Sequence, residues 1–467
     1  MKLSTNIPET MIPGSYSEFN YYAGPNGLPV NVQKVLLVGA GTGVLPVNSP
    51  MEVYSEADAT TLTGAGSVLH SMYLAAKEAW KYAQITLVRH AEPVGSAAHY
   101  TVTLSGSATK SGVARLRIGS TFVSAAVAIG ATPTEVAAAL VLAVNAKTFL
   151  PVTATSSGAV LTLTAKNIGA YISDAGGVSI DGVMVNTDMT LDVELATAGV
   201  GTVDLEDVLK AAFPARYHLI GVSVSDSANL ILLRTHLENA ASPLEQRGQR
   251  GIAVKQGTLS AVKALVTSLN HERLNVGAVK ELSNPVWEIS AGMCAVFASN
   301  SKPNKPMNGL PIVGLDIPAV AARWSGEEED ALLMAGVIPL AETDGELCLV
   351  RAVTTKTNVD GVRFEKLVDT GVIASMDYTR DSLKAMQTVK YKNAVIHEFL
   401  ADAINEDNFA VCKELEKDNI HRYVDDHKDQ FITQESPDVP GRVLCRVPAG
   451  IVPGLNQIYN TIDLYLN

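Results

Sequence analysis

The sequence predicts a mixed α/β protein, in which an α/β core is interrupted by a mostly-β module and followed by an α+β domain, with extended arms at both ends. Three observations support this fold class. Between residues 201 and 307, apolar runs alternate with helical segments, a pattern typical of parallel strands joined by helices. Residues 91–200 are rich in Ser, Thr, Ala, Gly and Val and contain alternating strand patterns. Proline and glycine recur through residues 1–30 and prevent a long helix there.

Composition and charge narrow the class of protein. The chain has 467 residues, of which 47% are apolar, and a net charge of −12. This length suits about three domains, and the acidity disfavours binding to nucleic-acid phosphates. The N-terminus lacks the apolar run of a signal peptide, and the longest uncharged run, 148–165, contains Pro151 and Gly158, so we expect no membrane insertion. Four scattered cysteines predict no disulfide framework.

The predicted elements of the core and module follow in chain order. Residues 35–38 and 85–88 are apolar runs typical of buried strands, and an amphipathic helix is expected between them over 66–83. In the module, Pro133 to Asn145 is predicted to be helical, because Thr132 can cap it. After the module we expect helices at 204–213, 228–240, 259–269 and 285–298, and strands at 219–224, 251–255 and 274–279.

The C-terminal third departs from this regular alternation. Residues 461–466 alternate between polar and apolar side chains, as a strand does. Because little chain remains to cover such a strand, it must join a sheet of its own subunit or of a partner. The other expected elements are a strand at 347–354 after a turn at Asp344-Gly345, and helices at 375–387, 394–404 and 409–417.

One glycine-rich turn invites a nucleotide-binding interpretation. Gly39, Gly41 and Gly43 follow a buried strand, but Val44 stands where the dinucleotide fingerprint needs its third glycine. Pro46 then interrupts the helix whose N-terminus would face a pyrophosphate. The pattern therefore favours an ordinary turn over a nucleotide site.

A polar cluster near the C-terminus is the best candidate for a cation site. It contains His421, Asp425, Asp426 and His427. The charged residues around it favour a solvated linker. We therefore predict no catalytic residue, no metal site and no cofactor.

Four stretches resemble the tail sheath proteins of contractile-tailed bacteriophages, specifically the Mu-like branch. Together they span nearly the whole chain, and their order and spacing carry the resemblance. They are Ile12-Pro13-Gly14-Ser15-Tyr16 with Glu18-Phe19-Asn20 and 33–39; Gly64-Ala65-Gly66-Ser67-Val68-Leu69 with Met72; 119–146 with 160–169; and Leu332-Leu333 with 336–340, 350–355 and 376–381.

The resemblance implies a structural role. Sheath proteins have a subtilisin-like layered sheet with flanking helices and no working catalytic triad. Their subunits stack as hexameric rings in a helical assembly around an inner tail tube protein, in tails that also contain baseplate and tail terminator proteins. Terminal arms add strands to a neighbour's sheet, and contraction drives the tube through the target envelope. Such a protein is assembled in the host cytoplasm and resides in the virion tail.

Carried onto this sequence, the resemblance divides the chain into five parts. They are an N-terminal arm (1–30), an α/β core (31–90 and 201–307), an inserted outward-facing module (91–200), a C-terminal α+β domain (308–446) and a C-terminal strand arm (447–467). We expect arm contacts between subunits at Tyr16, Phe19, Tyr21, Tyr22, Ile462, Leu464, Tyr465 and Leu466. We expect a tube-facing surface at Lys413, Glu416 and Lys417, whose charges would allow release on contraction.

Two other functions remain open at this point. The chain could be a baseplate or terminator component of a contractile particle, or an α/β enzyme that binds a nucleotide at the Gly39–Gly43 turn. Deleting residues 1–22 or 456–467 separates the sheath from the enzyme, since a sheath subunit would stay folded but lose polymerisation. The sequence does not distinguish a phage from a bacteriocin-like tail or another contractile injector, nor an extended from a contracted state.

Overall fold

A computed structural model describes residues 28–465 of the chain. The strands are β1 (Lys34–Gly39), β2 (Met51–Val53), β3 (Gln84–Arg89), β4 (Ala97–Ser105), β5 (Gly112–Ile118), β6 (Thr121–Val127), β7 (Val152–Ser157), β8 (Val160–Ile168), β9 (Ile180–Val185), β10 (Thr190–Thr197), β11 (Leu219–Val222), β12 (Arg250–Gln256), β13 (Leu274–Val279), β14 (Ile338–Thr343), β15 (Glu346–Leu349), β16 (Asn358–Val359), β17 (Val362–Arg363), β18 (Ile432–Glu435) and β19 (Val443–Arg446). The α-helices are α1 (Glu56–Thr63), α2 (Val68–Ala79), α3 (Pro133–Ala146), α4 (Glu206–Ala212), α5 (Ser227–Ala241), α6 (Leu259–Thr267), α7 (Val286–Ser299), α8 (Gly326–Met334), α9 (Thr370–Tyr391) and α10 (Leu400–Lys417).

The chain separates into two compact units. We call residues 31–377 with 451–465 the main body, and residues 28–30 with 378–450 the C-terminal unit. The boundary falls within α9. Each unit is described by itself below.

An eight-stranded sheet, the main sheet, forms the centre of the main body. Its strand order is β15-β14-β13-β12-β11-β1-β3-β2. Neighbouring strands from β14 to β3 run parallel, and only the two edge strands are antiparallel to their neighbours. This confirms the helix-connected parallel sheet that the alternating pattern predicts.

Helices cover both faces of the main sheet, which explains why its strands are apolar throughout. In β1, Val35 and Leu37 pack in one hydrophobic cluster with α2 and α7. Leu36 and Val38, on the opposite face, pack in a second cluster with α4, α5 and α6. All four side chains are fully buried. A strand buried on both sides cannot alternate with polar residues, so the continuous run is the expected signature.

Several helices begin where the sequence offers a capping side chain. Thr132 and Glu135 form a reciprocal capping box at the start of α3, as the sequence analysis expects. Ser67 accepts a hydrogen bond from the backbone N–H of His70 at the start of α2. Each cap satisfies a backbone N–H that the helix itself leaves unpaired.

Residues 97–197 form two antiparallel sheets and α3. Their strand orders are β10-β4-β8-β7 and β6-β5-β9. The segments that lead in and out meet at Ser96 and Val200, whose backbone groups exchange hydrogen bonds of 3.1 and 2.9 Å. Asn167 also joins these strands to α2, because its Oδ1 accepts the backbone N–H of Val68 at 2.9 Å.

The C-terminal unit is small and has a short apolar core. Cys412 on α10 is buried with Val424 and Phe431, and the ring of Phe409 meets that of Phe431 edge to face at 5.3 Å between centroids. Strands β18 and β19 form a two-stranded antiparallel sheet, the C-terminal hairpin. This hairpin packs on α10, where Thr433 donates its hydroxyl to Asn405 Oδ1 at 3.0 Å.

Two sequence predictions about the C-terminal third are wrong. The two helices expected at 394–404 and 409–417 are one helix, α10, because no glycine or proline separates them. The strand expected at 347–354 ends at Leu349: Val350 still donates its N–H to Pro339 O on β14 at 3.0 Å, but proline has no N–H to return, and Thr354 donates to Val368 O instead. Residues 461–465 pair with none of the described segments of the single chain, so the strand expected there, which could also join a partner's sheet, stays a prediction.

Candidate assembly surfaces

The predicted arm residues divide into those inside and those outside the described region. Ile462, Leu464 and Tyr465 are 91, 81 and 85% exposed. In a strand, Ile462 and Leu464 would lie on one face, and Thr461, Asp463 and Tyr465 on the other. Such a run exposes apolar side chains to water, and its hydrated backbone groups are accessible to a partner strand. The remaining predicted contacts, Tyr16, Phe19, Tyr21, Tyr22 and Leu466, lie outside the described residues.

The C-terminal hairpin is a surface that the sequence analysis does not single out. Ser436 donates its N–H to Arg442 O at 2.9 Å, so these two residues are a hydrogen-bonded pair. Because such pairs alternate along an antiparallel ladder, the N–H groups of Thr433 and Glu435 point away from β19. By the same alternation, Cys445 points its N–H away from β18.

Both outer edges of this hairpin are unpaired among residues 28–465. Its outward face also carries Ile432 and Leu444, which are 45 and 44% exposed. A two-stranded sheet is marginal in water unless further strands or a helix complete it. Strands of four residues around a loop containing Pro440-Gly441 are too short and too polar to have been recognised from periodicity.

The three predicted tube-facing residues lie in the C-terminal unit, two of them in one ion-pair network. Lys413 Nζ donates to Glu416 Oε2 at 2.5 Å and to Asp425 Oδ2 at 2.9 Å. These hydrogen bonds raise the pKa of Lys413, and the bond from Lys413 lowers the pKa of Glu416. Lys417 pairs separately with Glu414 at 2.5 Å. The charges are therefore largely neutralised within the subunit.

Glu416 has a second role in the same region. Its Oε1 accepts the backbone N–H of Val424 at 3.0 Å and so fixes the turn that follows α10. These ion pairs therefore stabilise local structure, and a partner would meet only the exposed parts of the paired side chains.

The glycine-rich turn after β1 uses several of its backbone donors inside the chain. The N–H groups of Thr42 and Gly43 both donate to Thr63 O, at 2.7 and 2.9 Å, and that of Leu45 donates to Leu62 O at 2.8 Å. A Cβ at Gly43 would lie 2.5 Å from the backbone of Gly64. Gly43 therefore allows close packing against the end of α1, and the N–H groups of Thr42, Gly43 and Leu45 are not available to a phosphate.

The side chains of the polar cluster at 421–427 bond to residues outside the cluster and do not converge on one point. His421 is buried, and its Nε2 hydrogen bonds to Thr379 Oγ1 at 2.8 Å. Burial lowers the pKa of His421. Asp425 is paired with Lys413. In the part of the chain that the structure describes, no group of three His, Cys, Asp or Glu side chains could hold a metal ion.

None of the helices in residues 28–465 is long and apolar enough to cross a membrane. Charged residues occur along the whole length of α9 and α10, the two longest of these helices.

Three comparisons place this chain among known proteins. Residues 198–355 match the family model of the phage tail sheath protein central domain. The chain is 26% identical over 408 residues to the Mu-like prophage FluMu tail sheath protein of Haemophilus influenzae, covering 83% of this chain and 81% of that protein. The chain is related to the tail sheath proteins of Mu-like phages.

Solved structures of two sheath tail proteins share the fold of this chain. The protein from Desulfitobacterium hafniense has a TM-score of 0.54 at 13% identity and covers 97% of this chain and 100% of its own. The protein from Listeria innocua has a TM-score of 0.54 at 14% identity and covers 90% of this chain and 92% of its own. The central-domain match extends from before β11 to beyond β15, which is the larger part of the main sheet.

Proposed function

We propose that this chain is the structural subunit of a contractile tail sheath, linked to its neighbours by strand exchange. The observation that carries the proposal is the combination of a two-stranded hairpin with unpaired edges and a terminal segment with exposed, alternating apolar residues. Each supplies what the other lacks, since an added strand satisfies edge N–H and C=O groups while its side chains cover apolar surface.

Each copy would give one strand, the terminal segment, and accept one strand, at the edge of its hairpin. A strand at 461–465 that joins the hairpin of a second copy leaves its own hairpin open for a third. Repeated addition of this kind is a heterologous contact, which closes into rings or continues as a helical assembly. We propose stacked hexameric rings around an inner tail tube protein, with baseplate and terminator proteins at the ends.

Strand exchange also suits a particle that contracts. Backbone ladders keep their partners while the rigid bodies on either side rotate, provided the connecting segments are extended. The remaining interfaces would then be polar and exchangeable between the two states. We assign Lys413, Glu416 and Lys417 to the tube-facing surface, where their outward charge would meet a complementary partner.

The architecture of this proposed subunit follows the five parts given above. The core at 31–90 and 201–307 would have the layered arrangement of subtilisin without catalytic activity, and the module at 91–200 would project outward. The arms at 1–30 and 447–467 would connect subunits. The assembled protein would lie in the virion tail after assembly in the host cytoplasm.

Substitutions in the exposed segment test strand exchange directly. Replacing Ile462 and Leu464 together by Asn should leave a folded protein that forms no tubes in negative-stain electron microscopy at any concentration. The matched control replaces Thr461 and Asp463 by Asn, on the opposite face, and should still form tubes or stacked rings. Tubes from the Ile462/Leu464 variant would refute strand exchange through this segment.

The same microscopy separates the sheath from its alternatives. A full-length protein that stays monomeric at high concentration would favour a baseplate or terminator component. Deleting residues 457–467 should abolish polymerisation as the double substitution does, with an unchanged unfolding midpoint.

A further inference from the structure

The segment before the exposed arm lies in a groove of its own main body. Along residues 452–456, Val452, Gly454 and Asn456 are partly buried, whereas Pro453 and Leu455 are exposed. This period of two is that of an extended chain lying against a surface. The groove is formed by the loop 304–308 after α7 and by the start of α9.

The fit of this segment is close. Asn304 Nδ2 donates to Val452 O at 3.4 Å. A Cβ at Gly454 would lie 2.5 Å from Pro306 Cγ, so the backbone approaches the proline ring directly. The space left between segment and groove is about 30 Å³. That volume admits about one water molecule and no larger ligand.

Asn456 makes the most specific contacts of the segment. Its Oδ1 accepts a hydrogen bond from Asn308 Nδ2 at 2.9 Å, and its Nδ2 donates to Asp369 Oδ2 at 3.1 Å. The other oxygen of Asp369 accepts from Arg351, with its Nη2 at 2.8 Å. The amide of Asn456 makes both bonds at once, because its oxygen accepts from Asn308 while its nitrogen donates to the carboxylate.

The partners of Asn456 connect it to rigid parts of the main body. Arg351 follows the edge strand β15, and Asp369 immediately precedes α9. The ion pair between these two residues joins the sheet edge to the helix start. Past Asn456 the contacts end: residues 457–465 are exposed throughout.

We propose that Asn456 is the positioning residue that fixes the C-terminal arm to its own subunit, so that the free arm begins at Gln457. The proposal rests on the proposed function, in which this arm pairs with another copy. Tension from a neighbour would then pass through Asn456 and Asp369 to Arg351 and the edge of the main sheet. The anchor also shortens the free chain, which raises the effective concentration of the arm at its target.

Matched substitutions test the anchor before any assembly occurs. Asn456→Asp removes the donor and places a carboxylate beside Asp369, whereas Asn460→Asp makes the same change in the exposed arm. In hydrogen–deuterium exchange of the full-length unassembled protein, Asn456→Asp should speed exchange at 452–456 at least tenfold. Asn460→Asp should leave that rate unchanged. Equal protection of 452–456 in the Asn456→Asp variant and the parent would overturn the anchor.

A second variant guards against misfolding. Asn308→Ala removes the donor on the groove side without changing the tail, and should speed exchange at 452–456 by about threefold to tenfold. If Asn456→Asp fails to fold, equal protection in Asn308→Ala and the parent overturns the proposal instead.

Assembly provides a readout of what the anchor does for the proposed sheath. At equal concentration, Asn456→Asp should form tubes at least twofold shorter than those of Asn460→Asp, and equal lengths would overturn the mechanical role. If the parent protein forms no tubes, the proposed function fails, while the exchange experiment still decides whether Asn456 anchors the tail.

Discussion

The main sheet and the C-terminal hairpin differ in how far their edge strands are protected from further pairing. At one edge of the main sheet, the loop 309–312 lies along β15: Gly309 donates its N–H to Leu349 O at 2.7 Å, and Ile312 donates to Leu347 O at 2.8 Å. At the other edge, β2 is only three residues long. Coverage and shortness are two common ways to prevent further pairing. The hairpin strands, at four residues each, are also short, but none of the described segments pairs with their outer edges.

This difference indicates which part of the molecule is complete in a single chain. The main sheet buries both faces and has little edge left to satisfy. The hairpin exposes apolar residues and two unpaired edges, so it gains most from another chain. Substitutions in the main body should therefore change the stability of the monomer, and those at the hairpin edge should change assembly alone. The predictions below run from the largest expected effect on the free energy of unfolding to the smallest.

Trp287→Ala should have the largest effect. Trp287 is 1% exposed, its ring meets Tyr171 at 5.8 Å, and its Nε1 donates to Ser71 Oγ at 3.0 Å. Removing it leaves a large cavity, and we expect the free energy of unfolding to fall by about 4 kcal/mol in urea titrations. Tyr82→Ala, at a side chain 68% exposed, is the control and should cost less than about 0.5 kcal/mol. Equal losses would show that α7 is not central to the fold.

Glu288 should make the stability of the main body depend on pH. Burial raises the pKa of its carboxyl group to about 7, although Asn284 donates a hydrogen bond to it. The folded state thus holds the proton more tightly than the unfolded state. The resulting stabilisation is complete below about pH 4.5 and is lost as the pH rises through about 7.

Between pH 5 and pH 8 this loss should be about 2 to 3 kcal/mol. Glu288→Gln should remove most of the difference between urea midpoints at the two pH values. Glu281→Gln, at an exposed position on the preceding loop, should retain it. A parent protein equally stable at both pH values would contradict the prediction.

Asn167→Leu should have an intermediate effect, since it breaks the connection between β8 and α2. Asn167 is 3% exposed; its Nδ2 donates to Glu92 Oε1 at 2.6 Å while its Oδ1 accepts from Val68. The leucine would leave a buried N–H and a carboxylate without these partners, at about 2 kcal/mol. Chemical unfolding measures the loss, and a change under about 0.5 kcal/mol would mean that solvent replaces both bonds.

Glu435→Pro should have the smallest effect on stability and a complete effect on assembly. The N–H of Glu435 points out of the hairpin, so proline there removes an edge donor without breaking the ladder. We expect an unfolding free energy within about 0.5 kcal/mol of the parent, with no tubes by electron microscopy. Gln434→Pro, whose N–H lies inside the ladder, is the control and should destabilise the hairpin itself. Normal tubes from Glu435→Pro would exclude this edge as an acceptor.

The sequence predicts the main body well because local signals and burial agree there. Continuous apolar runs such as 35–38, next to glycine-rich turns, are typical of strands covered on both sides, and Thr132 with Glu135 specifies the start of α3. The position of β11 beside β1 is not readable in this way, because strand order depends on packing between distant segments. The length of α10 was missed since its polar residues 405–408 resemble a linker, although Asn408 is fully buried.

The assembly surfaces were only partly predictable for a different reason. The apolar alternation at 461–466 shows that a strand needs a partner, but the hairpin edge is defined by backbone geometry that composition does not encode. The anchor at Asn456 brings together residues 308, 351 and 369, and an asparagine in a loop carries no sign of such partners. Exposed arms can thus be found from sequence, whereas their attachment points require the fold.

The pairing of Ser96 with Val200 has a consequence for how this protein can vary. The two ends of the intervening hundred or so residues are neighbours, so a chain of any length whose termini lie close together would fit between them. Replacing that stretch leaves the spacing between β3 and β11 unchanged. This stretch could therefore diversify during evolution, or be replaced by a foreign binding domain. The replacement would have to cover Trp287 and Val68 again, which Tyr171 and Asn167 contact here. The residues between Ser96 and Val200 are therefore exchangeable, while the paired segments at their two ends stay fixed.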